Sequence, residues 1–224
     1  MSDALDSLST LEVYERWAPT YPPRPHNPLM RAEQQVLLAK LPAVARRRVL
    51  DLACGSGRYA QLLWARGARD VVAADFSRAM LDRVTAGHRV RASLTSLPFS
   101  AASFDLVVSG LALGHASDLA VCFAEIARVL RPGGELHYSD FHPEAARAGL
   151  TRSFRDATNR SFSLPPVGFG LDAHREAARQ AGLAIDSIEE LRVGREICES
   201  FTGSEEFYRR WHGVPLVFIV RAHK

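Results

Sequence analysis

Residues 49–59 read VLDLACGSGRY. The apolar run VLDLA is short and compatible with a pleat, so it reads as a buried strand. It ends abruptly in a turn carrying Gly55 and Gly57, residues that allow backbone conformations and close approaches a Cβ would block. Tyr59–Ala65 then continues as a helix. Strand, glycine turn and helix open a crossover of a doubly wound α/β sheet, and in such folds the loop at the strand's carboxyl end faces the crevice where ligands bind. The G-x-G spacing is weak evidence alone, because a plain strand-to-helix turn has it too. The third glycine of a dinucleotide fingerprint is missing, with Ala60 in its place.

Two carboxylates sharpen the reading. Asp51 sits inside the apolar strand, where an unpaired carboxylate is costly. Asp75 ends the next apolar run, VVAAD, about twenty residues beyond the turn, where an acidic side chain can hold two ribose hydroxyls. The combination D-x-A-C-G-x-G, then strand, then acid resembles the class I S-adenosylmethionine (SAM) methyltransferases. It resembles their small-molecule group, which includes the malonyl carrier-protein O-methyltransferases and the quinone C-methyltransferases. The resemblance implies a Rossmann-like fold: an α/β, doubly wound, mostly parallel seven-stranded sheet with an antiparallel last strand. It places Asp51 near the methionine end of the cofactor and the loop Ala53, Cys54, Gly55 and Gly57 beneath it. Asp75 then binds the ribose, with Phe76 and Met80 near purine and ribose. SAM carries no phosphate, which suits the missing third glycine.

A chain of 224 residues suits one domain with a good-sized core. No apolar segment approaches the roughly 20 residues that span a bilayer. MSDALDSLST lacks the basic and apolar regions of a signal peptide, so the expected location is cytoplasmic. Cys54, Cys122 and Cys198 are odd in number and widely spaced, with no metal or disulfide pattern. Cys54 reads as a small buried side chain rather than a nucleophile. The net charge is +3 and the pI about 9.0, but the arginines are scattered with no aromatic-interleaved basic stripe. That argues against a nucleic-acid footprint. A monomer or homodimer is expected.

Residues 1–45 read as an N-terminal helical lid. Thr10 is expected to cap a short helix carrying Tyr14 and Trp17. The segment Y-x-x-W-A-x-x-Y, ending at Tyr21, resembles one that folds over the SAM site in many small-molecule methyltransferases. PPRPHNP is too rich in proline to be helical, and a helix runs from Asn27 or Pro28 to about Leu41. The cofactor-binding core spans 46–141. Within it strands are expected at Asp70–Asp75, His88–Ala92, Ser103–Ser109 and Glu135–Phe141. Ser77 caps a helix over Arg78–Ala86, a further helix runs to Val129, and RPGG at 131–134 makes a turn. The family pattern D-A-x-x-L-P-F after the third strand is here SLTSLPF, so Ser93, Leu94 and Thr95 stand at the implied adenine site. Ser109, Gly110 and Leu111 begin the loop after the fourth strand and complete the implied cofactor crevice.

Residues 142–171 lack periodicity and read as a substrate-side insertion. In 172–224, Asp172 is expected to cap a helix, Leu183–Leu191 and Pro215–Ala222 to be strands, and 194–213 to be an irregular connection containing Phe201, Phe207, Tyr208 and Trp211. His115, in the loop GLALGHAS beside the implied methyl group, is the candidate catalytic base. Asp140 and His142, at the fifth strand's end, are candidate acceptor-side residues. No metal is expected. The reading is therefore O- or C-methylation of a small-molecule or carrier-bound acyl acceptor, with S-adenosylhomocysteine as product. A non-catalytic SAM-binding protein and a nicotinamide-dependent oxidoreductase are the alternatives.

Overall fold

The structure, a computed structural model, describes residues 9–150, 152–164, 168–198 and 204–224. Phe201 and the Pro165–Val167 part of the insertion lie outside the described residues, as do residues 1–8. In chain order come α1 (Thr10–Trp17), a 3-10 turn (Ala18–Thr20), α2 (Pro28–Lys40), β1 (Arg48–Leu52), α3 (Arg58–Ala65), β2 (Asp70–Asp75), α4 (Arg78–Leu81), β3 (His88–Arg91) and β4 (Phe104–Gly110). A 3-10 turn (Leu113–His115), α5 (Leu119–Val129), β5 (Leu130–Phe141), α6 (Pro143–Arg147), β6 (Ser153–Arg155) and β7 (Ser161–Ser163) follow. The chain ends with α7 (Leu171–Gln180), β8 (Ala184–Arg192), α8 (Arg195–Cys198), α9 (Ser204–Trp211) and β9 (Pro215–His223).

Seven strands form one sheet in the order β3-β2-β1-β4-β5-β9-β8, and β6 pairs only with β7. β1 to β5 run parallel, and β9 is antiparallel to both its neighbours, as the sequence implied. Parallel strands are buried on both faces, and the alternation along β1 and β2 shows it. Leu50, Leu52, Val72 and Ala74 pack with Phe123 and Ile126 of α5 and Ala177 of α7. Val49, Val71 and Ala73 pack with Leu37 of α2 and Leu63 of α3. The strand order reverses between β1 and β4, and their carboxyl ends open the crevice expected at such a switch point.

Several local expectations are corrected. Ser9, not Thr10, caps α1, in a capping box with Glu12. Gly170, not Asp172, precedes α7. The helix after Ser77 stops at Leu81, because the chain must return to β3 through Gly87, where a Cβ would lie 2.6 Å from the Val71 carbonyl oxygen. RPGG does not interrupt β5: the strand runs through it and absorbs it as a register shift against β4. The insertion is not structureless; it holds α6 and the β6–β7 hairpin, and 194–213 holds α8 and α9.

The hairpin explains what holds the N-terminal segment. Val13 is buried against Phe154 and Phe162, and Trp17 stacks on Phe154 at 4.8 Å. Thr20 Oγ1 donates to the Arg155 carbonyl at 2.8 Å, and Arg83 donates to the Tyr21 carbonyl at 2.8 Å. Lid helix and hairpin thus share one aromatic core above the sheet.

Two non-glycine residues at the switch point sit in the left-handed region: Ala53, φ 53, after β1, and Leu111, φ 60, after β4. For an L-residue this costs about 1–2 kcal/mol, and such strain gathers at functional sites. Ala53→Val should destabilise the protein by at least about 1 kcal/mol, since a β-branched residue tolerates this region worst. Ala53→Gly should not fall below wild type. Urea unfolding of the two variants checks this; equal losses would mean that residue 53 does not hold the conformation in solution.

Candidate active site

A cavity of about 940 Å³ lies over the carboxyl ends of β1, β2 and β4, beneath α1 and the hairpin. It brings together most of the sequence-predicted residues. Tyr14, Trp17 and Tyr21 line it from α1 and the turn after it, Ala53 and Gly55 from the glycine loop, and Asp75 and Phe76 from the end of β2. Ser93 and Leu94 line it after β3, Gly110, Leu111 and His115 after β4, and His142 after β5. The remaining predicted residues, Asp51, Cys54, Gly57, Met80, Thr95, Ser109 and Asp140, are not part of this lining.

The glycine loop is held from β2. Asp75 accepts from the Gly55 amide at 2.8 Å and the Ser77 amide at 2.9 Å. Burial outweighs those bonds and pushes its carboxyl up to about 6. A Cβ on Gly55 would meet only the Tyr21 hydroxyl, at 4.0 Å, so it would project into open cavity. Gly57 serves a different need: at φ 81 it begins α3, and a Cβ there would lie 2.9 Å from Val84. Asp51 accepts from the Ala60 amide at 2.7 Å. Its second oxygen is buried without a hydrogen-bond partner, and burial pushes its carboxyl up to about 7. The Cys54 thiol donates to the Gly55 carbonyl at 3.4 Å, and burial pushes it well up, the state of an inert thiol. Met80 is fully buried in α4. Ser93 and Thr95 hydroxyls lie 3.1 Å apart, and the Ser109 hydroxyl is buried in β4.

The other side of the cavity carries a different chemistry. His115 is mostly buried, with Tyr14 edge-on at 6.0 Å and its Nε2 without a hydrogen-bond partner. Burial, helped by the charge of Arg152, pushes its imidazole down to about 4. The Arg152 guanidinium lines the same chamber and lies 3.9 Å from the Phe141 ring centre. His142 caps α6, with Nδ1 accepting from the Glu144 amide at 3.2 Å and Nε2 3.4 Å from Glu190. Both its nitrogens are engaged by protein. Asp140 turns away from the cavity and accepts from the amides of Gly114 and Phe141.

Sequence reasoning missed Glu33, Arg58 and Arg152. Glu33 is fully buried; it accepts from Arg58 at 3.0 Å, Tyr59 at 2.6 Å and Ser139 at 2.6 Å. A signal existed: Met30, Glu33 and Leu37 share the buried face of α2, and a carboxylate on an apolar stripe requires partners. Arg152 had no such signal, lying in a segment without periodicity. Among the described residues no helix is long and apolar enough to cross a membrane, and no cluster of His, Cys, Asp or Glu could hold a metal ion.

Fold and cavity agree with the comparisons with known proteins, which place the chain among the SAM-dependent methyltransferases. Residues 50–138 match the methyltransferase domain model Methyltransf_11. A malonyl-[acyl-carrier protein] O-methyltransferase of Enterobacter lignolyticus (strain SCF1) is 31% identical over 201 residues, covering 86% of this chain and 79% of that protein. A demethylmenaquinone methyltransferase of Clavibacter sepedonicus is 41% identical over 105 residues, 44% of this chain and 42% of that one. The crystal structure of a SAM-dependent methyltransferase from Mesorhizobium loti superposes with a TM-score of 0.69 at 27% identity, covering 86% of this chain and 98% of that chain. The chain belongs to the class I SAM-dependent methyltransferase family and is a methyltransferase.

Two outcomes follow from this geometry. The His115 imidazole should titrate near 4 in NMR spectra. The sign is that of a depressed folded-state pKa: burying the neutral ring holds no penalty above 6.5, and stability falls as pH drops through the window from 6.5 toward 4. Titration near 6.5 would show a solvated ring. Glu33→Ala should cost about 3–5 kcal/mol in urea unfolding, because it leaves Arg58 buried without its counter-charge. A loss below 1 kcal/mol would mean that water reaches the guanidinium.

Proposed function

We propose that this methyltransferase esterifies a carboxylate on a small or carrier-bound acyl group, with a malonyl thioester as the model acceptor. The observation that carries this reading is a neutral imidazole and a guanidinium lining one chamber. Arg152 supplies charge for an anionic acceptor, and a weakly basic His115 suits a reaction that needs no proton removed. The activity named for the Enterobacter relative is of this kind. Methylation of a quinone-type ring, the chemistry named for the Clavibacter relative, requires loss of a ring proton. A base whose conjugate acid lies near 4 accepts that proton poorly.

SAM, when bound, supplies a methyl group already activated by the sulfonium charge. The residues fit the cofactor on two counts: the open space at Gly55 and the unpartnered buried oxygen of Asp51. On this reading Asp75 accepts from the ribose hydroxyls, and Asp51 faces the methionine ammonium end. The stretch Ser93–Thr95 borders the adenine. Arg152 orients the acceptor carboxylate, and the His115 ring borders the acceptor. The lid aromatics Tyr14, Trp17 and Tyr21 exclude water. A desolvated, aligned carboxylate oxygen then displaces at the methyl carbon in line, so alignment is the protein's main contribution.

Labelled SAM with malonyl-carrier protein, malonyl-coenzyme A and free malonate tests the reading. A base-labile labelled methyl ester on a malonyl thioester is expected; no ester on any of them, with label entering a demethylated quinone, overturns it. Arg152→Ala should raise the acceptor KM about 10–100-fold, the size of a lost charged hydrogen bond, and leave the SAM Kd unchanged. Asp75→Asn should weaken SAM by about 1.5–3 kcal/mol, and Gly55→Val should abolish its binding in calorimetry. Unchanged SAM binding in both variants would remove this crevice as the cofactor site.

A further inference from the structure

The loop after β4 is tied to β5 at two successive residues. The Leu111 amide donates to the Ser139 carbonyl at 2.9 Å and lies 3.1 Å from its hydroxyl. The Gly114 amide donates to Asp140 Oδ2. Asp140 Oδ1 accepts from its own neighbour, the Phe141 amide, at 2.8 Å. Gly114 immediately precedes His115, and the turn Leu113–His115 is closed within itself by the Ala116 amide donating to the Leu113 carbonyl at 3.0 Å. Among the described residues, the hydrogen bond from that turn to the sheet goes to the Asp140 carboxylate, while Leu113 packs in the core.

Asp140 is 0% exposed, and its surroundings do not explain a carboxylate there. The nearest basic nitrogen is Nε2 of His174 on α7, at 4.0 Å. That ring is itself buried, stacked on Tyr138 and pushed down to about 4 by burial, so it carries no charge at neutral pH. The Arg152 charge acts on Asp140 from further off and only partly opposes the effect of burial, which pushes the carboxyl up to about 7. An apolar side chain would fill this strand end without the several kcal/mol that burying a carboxylate costs. What an apolar side chain would lack is an acceptor for the Gly114 amide.

We propose that Asp140 is a positioning residue for methyl transfer: through the Gly114 amide its carboxylate fixes the Leu113–His115 turn and thereby aims the His115 ring into the acceptor chamber. The proposal rests on the reading of His115 as the group that meets the acceptor. His115 depends on such support, because its Nε2 makes no hydrogen bond to protein. A misplacement of about 1 Å can cost about 10²-fold in rate.

The test is a double-mutant cycle. Asp140→Asn keeps the volume but has one oxygen for two amide donors. It should lower kcat for transfer to malonyl-carrier protein about 10–100-fold and leave the SAM Kd from calorimetry unchanged. In a His115→Ala background the same substitution should change kcat less than about twofold, since there is no ring left to aim. Equal losses in both backgrounds overturn the proposal, as does a loss confined to SAM affinity. If Asp140→Asn does not fold, Asp140→Ser, with one acceptor oxygen, enters the same cycle. Hydrogen exchange needs no acceptor: amides of 111–116 should exchange faster in the variant, with β1 and β4 unchanged. If the wild type fails to methylate the malonyl carrier, the substrate reading falls by itself. Unaltered exchange over 111–116 instead overturns the anchoring.

Discussion

One buried carboxylate sets the frame of the crevice. Glu33 on α2 receives Arg58 and Tyr59 from the start of α3 and Ser139 from the end of β5. Arg58 and Tyr59 follow the glycine loop directly, and Ser139 lies on β5 beside the loop after β4. Ser139 passes the constraint on, because the Leu111 amide is bonded to it in turn. In a dry interior each of these bonds is stronger than in water, and each unmet donor is costly. The spacing between the two sides of the crevice is therefore referred to a single charge that never meets solvent.

Burial also accounts for the electrostatics of the cavity. Asp51 and Asp75 are pushed up, and His115 is pushed down, with burial the leading cause in all three. The strained backbone at Ala53 and Leu111 turns the two loop entrances toward the same space. Low dielectric and fixed dipoles strengthen any charge that later enters, which suits chemistry driven by alignment more than by proton traffic.

Much of this was legible in the sequence because it was local. The strand running into Gly55, the strand ending at Asp75, the cap at Ser77 and the helix start at Asn27–Pro28 are short-range patterns, and each formed as read. The antiparallel last strand came with the family resemblance. What the sequence hid was set by distant partners. Ser139 and Glu33 meet across 106 positions, so no window of sequence reveals that the serine is an anchor. Asp140 had the right address and faced away from the cavity, because strand alternation and the β4 loop decide its direction together. The insertion looked structureless because its hairpin is only three residues on each side and packs on a helix from the other end of the chain.

That last pairing has a consequence for how the protein is made. The aromatic face of α1 leaves the ribosome first, and its cover, Phe154 and Phe162, follows some 140 positions later. At about 5–20 residues per second the nascent chain carries Val13 and Trp17 without that cover for roughly 7–30 seconds. The Rossmann-like sheet can pair β1, β2 and β4 during that interval without its roof. Chains that terminate early, before the hairpin emerges, would expose an apolar patch of the kind that folding helpers and proteases recognise.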